Sequence, residues 1–90
     1  MTGDETDARR LVERVQTGVR VEKRLLKVLK GLAEYLDMSL GDLLEGIVLH
    51  AFEGKAPFQS STLDVISKLK AVYGCDLTAA DSHMLEEENR

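Results

Sequence analysis

Ninety residues hold this chain to one small domain, near the lower limit for a self-sufficient core. An apolar content of 43% excludes global disorder, and 4% aromatics with no Trp leave a core of Leu and Val. The net charge of −4 would argue against a nucleic-acid partner if it were evenly spread, but residues 9–30 carry +6: Arg9, Arg10, Arg14, Arg20, Lys23, Arg24, Lys27 and Lys30 stand against only Glu13 and Glu22. Residues 1–8 carry −3 and residues 31–90 carry −7.

The single cysteine, Cys75, excludes an internal disulfide and fits a reducing compartment. No apolar run reaches membrane-spanning length and no signal-peptide core is visible, so the expectation is a cytoplasmic protein with no membrane partner.

Residues 1–8 are polar and acidic and read as a flexible tail, and residues 9–13 read either as a fraying turn or as part of the next element. From Arg14 to Val21 polar and apolar residues alternate, the period of a strand. Its apolar face would be Val15, Thr17, Val19 and Val21, and its polar face Arg14, Gln16, Gly18 and Arg20. No second convincing strand exists, and a lone strand cannot satisfy its backbone. The expected partner is the same strand of a second copy, forming a ribbon with arginines outward, a shape that suits the DNA major groove.

A helix is expected over about Glu22–Leu36, with Leu25, Leu29, Leu32 and Leu36 on one stripe. Asp37 and Met38 break the pattern, and Asp tolerates the left-handed turn needed there. Ser39 to Asp42 resembles a capping box opening a second helix that runs to about Glu53. Its apolar positions are Leu40, Leu43, Leu44, Ile47, Val48, Ala51 and Phe52, and Gly54 and Pro57 end it. Ser61 to Asp64 reads as another capping box, starting a third helix with Leu63, Ile66, Leu69, Val72 and Tyr73 in its stripe and Gly74 as its stop. Thr78 to Asp81 can cap a last short helix, with Met84 and Leu85 as its apolar contacts, before the acidic Glu86-Glu87-Glu88.

Strand, helix, tight turn and Ser-capped helix follow in order from Gln16 to Gly54. The Val19-Arg20-Val21 strand end, the Leu32-Ala33-Glu34 close of the first helix and the Met38-Ser39-Leu40 entry to the second resemble the ribbon–helix–helix DNA-binding family of the Arc/MetJ type. The resemblance implies a mostly α fold with one β-strand: a ribbon–helix–helix intertwined homodimer over residues 14–54, plus a C-terminal helical extension over 55–90. It implies base contact from Gln16, Gly18 and Arg20, and a phosphate held at the start of the second helix by Ser39 and Leu40. Arg14, Lys23, Arg24 and Lys27 would add phosphate contacts blind to sequence. The implied shared core is Val19, Val21, Leu25, Leu29, Leu32, Leu36, Leu43, Leu44, Ile47, Val48 and Phe52.

The expected activity is therefore that of a sequence-specific transcriptional repressor with double-stranded DNA and a second copy of itself as partners. An alternative is an antitoxin or protein-interaction module that binds a partner protein through residues 58–90. The strand could also be an edge strand in a dimer that never touches DNA. The simplest account of the third helix is that it packs on the first two and enlarges their core. His50, His83 and Cys75 lack metal-ligand spacing, Asp42 and Glu45 read as a solvated face, and no nucleophile–base constellation or phosphate loop is visible. No enzyme, cofactor or metal is expected.

Overall fold

A computed structural model of the chain describes residues 9–88. Three helices form it, α1 over Lys23–Leu36, α2 over Leu40–Phe52 and α3 over Ser60–Tyr73, followed by a 3₁₀ turn at Ala79–Asp81.

The expected β-strand is absent. The described residues contain no strand, and residues 9–22, termed the arm below, carry no regular secondary structure. Among the described residues, none of 11–21 makes a backbone–backbone hydrogen bond. A ladder needs a second row of free N–H and C=O groups alongside, and the helices of this chain have already used theirs. The ribbon–helix–helix fold with a β-strand is therefore corrected to an all-helical chain with an irregular arm. The expected N-terminal flexible tail lies outside the described residues for 1–8, and residues 9–13 form neither a helical turn nor a strand.

Each helix start has a local cause. Glu22 is the N-cap of α1, its carboxylate accepting from the backbone N–H of Arg24 at 2.8 Å and of Leu25 at 2.9 Å. This satisfies two amides that the helix itself leaves unpaired. Ser39 caps α2, accepting from the Asp42 N–H at 3.1 Å. The expected capping box at Ser61 is not formed; the cap lies two residues earlier, at Gln59, and makes no side-chain bond. Thr78 and Asp81 do form a capping box, but it closes only one 3₁₀ turn, and Met84 and Leu85 stay exposed.

The helix ends share one device. Asp37, Gly54 and Gly74 all have positive φ, at 58°, 69° and 64°. In each case the next amide reaches back to a carbonyl five residues earlier: Met38 to Ala33 at 3.0 Å, Lys55 to His50 at 2.8 Å and Cys75 to Lys70 at 2.8 Å.

The core lies where α1 meets the other two helices. Leu32, Ala33 and Leu43 are buried, and Leu29, Leu36, Ile47, Phe58, Val65, Ile66 and Leu69 pack partly buried against them. Gly31 lets α3 come close, since a Cβ there would lie 3.0 Å from Leu69 Cδ2. The third helix thus packs on α1.

Much of the core expected for a dimer lies open in the single chain. Val19, Val21, Leu44, Val48 and Phe52 are exposed, Phe52 at 81%, while Leu25 is half-buried. Leu49, unassigned in the sequence pattern, joins Leu44, Val48 and Phe52 on the outward side of α2.

Candidate nucleic-acid interface

The cations singled out in the sequence fall on the arm and along α1. Gln16, Gly18 and Arg20 lie on the arm, all exposed, and a side chain at position 18 would meet nothing within 4 Å. Arg14 does not point freely outward. Its Nε donates to Glu45 Oε2 at 2.8 Å and its Nη2 to Glu45 Oε1 at 2.7 Å, tying the arm to α2. That bond raises the Arg14 guanidinium further and holds the Glu45 carboxyl below its ordinary value.

Arg20 is likewise engaged. Its Nε donates to Glu87 Oε1 at 3.0 Å, and its Nη2 donates to the other carboxylate oxygen. The arm and the acidic tail thus face one another across a groove whose lining includes Val19, Arg20, Val21 and Lys23 on one side and Leu85, Glu86 and Glu87 on the other.

Arg24 is a structural tie more than a phosphate hook. It donates to Glu22 Oε2 at 3.0 Å, to the Gly74 carbonyl at 3.0 Å and to Asp76 Oδ1 at 3.2 Å. One side chain thereby joins the N-cap of α1 to the end of α3. The Glu22 carboxyl is held low, first by the Leu25 N–H and then by Arg24. Glu22 thus has its charge turned onto the helix start. Lys27 sits with Nζ 5.8 Å from the Tyr73 ring centre, over its face. Lys23 is exposed at the first position of α1.

Ser39 and Leu40 are not gathered with Lys23 and Arg24, although Arg14 reaches their helix at Glu45. They lie past the opposite end of α1, a fourteen-residue helix about 20 Å long. Ser39 Oγ is occupied by the Asp42 N–H, and Asp42 places a negative charge in the first turn, which opposes a phosphate there.

Three partners were missed in the sequence: Glu45, which read as a solvated face, Glu87 and Asp76. Their ion pairs span 31, 67 and 52 positions, and no local spacing announces such contacts. Among the described residues no cluster of His, Cys, Asp and Glu could hold a metal ion, and no helix is long and apolar enough to cross a membrane. His50 directs Nδ1 to the Gly46 carbonyl at 2.7 Å, within its own helix.

The sequence matches no protein-family model, no curated protein and no solved structure.

Proposed function

We propose that this chain is a sequence-specific DNA-binding transcriptional regulator, a repressor, that works in the cytoplasm as a homodimer. The observation that carries the reading is the concentration of cations on an exposed arm and the helix that follows it. A polyanion responds to that local field and not to the net charge of −4. The strand pairing anticipated in the sequence is no part of this reading; contact is assigned to the arm itself. Arg20 has the fork that bonds guanine O6 and N7, Gln16 can pair with adenine N6 and N7, and Gly18 allows close backbone approach. Arg14, Lys23 and Lys27 supply phosphate contacts.

Self-association is supported by the outward face of α2. Leu44, Val48, Leu49 and Phe52 are exposed on a helix whose apolar residues extend well beyond the side that packs in the core, a pattern that favours burial against a further surface. Packing of α3 on α1 favours this reading over an antitoxin, because the helix that would wrap a partner is committed to its own core. No catalytic role is assigned.

The test is selection of the purified protein against a random duplex pool at near-physiological salt, with R20A alongside. The expected result is an enriched, roughly palindromic site that R20A loses while it keeps its fold. Absence of enrichment with a folded wild-type protein would remove the reading.

A further inference from the structure

The carboxylate that Arg20 holds belongs to the tail, and the route by which it arrives is built into the fold. Arg24 grips the Gly74 carbonyl and Asp76, and Lys70 Nζ donates to the Leu77 carbonyl at 2.8 Å. The Thr78–Asp81 box closes the next turn, with the Thr78 N–H donating to Asp81 Oδ2 at 2.8 Å. His83 then takes a left-handed φ of 65°, and the Met84 N–H bonds back to the Asp81 carbonyl at 2.9 Å. Beyond that bend the chain lies along the arm, where Leu85 lines the groove shared with Val19 and Val21 and Glu87 meets Arg20.

We propose that residues 82–88 are a built-in competitor for DNA: the acidic tail clasps Arg20 and must be displaced before the arm can take up a nucleic acid. This rests on the DNA-binding reading of the arm. A carboxylate fits the two parallel N–H groups of a guanidinium as a phosphate or a guanine edge does, so Glu87 occupies the same donors. Glu86 and Glu87 line the groove that also contains Lys23, so the tail opposes more than one of the cations assigned to DNA.

The clasp is displaceable by construction. The Arg20 side chain is 83% exposed and that of Glu87 is 64% exposed. Water and salt reach both partners, and such pairs hold weakly. A duplex offering several phosphates and a readable base outcompetes the tail, whereas a weak, unspecific encounter does not. The tail therefore lowers the affinity for every duplex by the same factor, so that at a given concentration only the tighter sites are filled.

The experiment is a titration of a labelled random-sequence duplex at low salt, with the wild-type chain and the full-length variants E87Q and E86Q/E87Q/E88Q. Trypsin cleavage after Arg20, followed without DNA, reads release of the clasp directly. The expected result is faster cleavage after Arg20 in both variants, with duplex affinity about two- to fivefold higher per protomer, the range of one exposed ion pair. Wild-type chain and variants that bind duplex equally would overturn the clasp while leaving the DNA reading standing. Failure of all three to bind any duplex would overturn that reading and the competitor role with it. The substitutions lie on exposed residues outside the core, so loss of folding does not blur the outcome.

Discussion

Arg14 on the arm and Glu45 on α2 form a two-pronged pair, at 2.8 and 2.7 Å, across 31 positions of sequence. Both side chains are largely exposed, so the pair positions the arm without adding much to the stability of the helices. E45Q should leave the thermal midpoint near that of the wild type but speed trypsin cleavage after Arg14. An unchanged cleavage rate would mean that the arm is held by something other than this pair.

The core assignment separates residues that look alike in the sequence. Leu32 is 2% exposed and Leu43 is 3% exposed, whereas Leu49 is 64% exposed. L32A and L43A should each cost about 2–5 kcal/mol in urea unfolding, as large-to-small changes in a packed interior do. L49A should stay within about 0.5 kcal/mol at protein concentrations too low for self-association. Equal losses at Leu43 and Leu49 would place the buried face of α2 elsewhere.

Self-association can be broken from the same helix. V48D and F52D put a charge on the outward apolar face and leave the α1 contact alone. Sedimentation should show a dimer for the wild type and a monomer for the variants, and only the wild type should melt higher as its concentration rises. A wild type that stays monomeric, with a midpoint independent of concentration, would remove the dimer from the proposed function.

Gly31 on α1 faces Leu69 on α3, with Leu69 Cδ2 3.0 Å from where a Cβ would lie. A branched side chain there must displace the Leu69 methyl groups or the helix that carries them. G31V should destabilise the fold by about 1–3 kcal/mol, the usual cost of overpacking. Wild-type stability in G31V would show that the α1–α3 contact yields freely.

Acid should loosen the start of α1 and the arm together. The Glu22 carboxyl is held low chiefly by the Leu25 N–H, and that of Glu45 chiefly by Arg14, both below the ordinary carboxylate value of 4.5. A carboxyl whose folded pKa is depressed contributes stability that is complete above its unfolded pKa and is lost as pH falls through the folded one. The contribution of these two carboxyls should therefore be constant near neutrality and fall below about pH 4.5. E22Q should be less stable at pH 7 and lose less on acidification, as followed by helicity. An E22Q acid profile parallel to that of the wild type would show that the Glu22 charge does not hold the cap.

The helices could be read in the sequence because their signals are local. Leu stripes at offsets of three and four, a Ser at the entry to α2, and Asp37, Gly54 and Gly74 at left-handed exits each act within a turn of themselves. The alternation from Arg14 to Val21 is just as regular, yet period two states only which side chains share a face. A strand also needs a neighbouring backbone, and among the described residues none is offered.

By itself the sequence determined three helices, their C-terminal ends, those stripe positions that do form the core, such as Leu29, Leu32, Leu36, Leu43 and Ile47, and a charge distribution that concentrates cations on residues 9–30. Only the tertiary structure decided what those cations face. Arg14 meets Glu45, Arg20 meets Glu87, and Arg24 joins Glu22 to Gly74 and Asp76. The physical reason is range: caps and stripes are settled by neighbours three to five residues apart. An ion pair across 31 or 67 positions exists only once packing of α3 on α1 and the turns after Gly74 have brought the segments together.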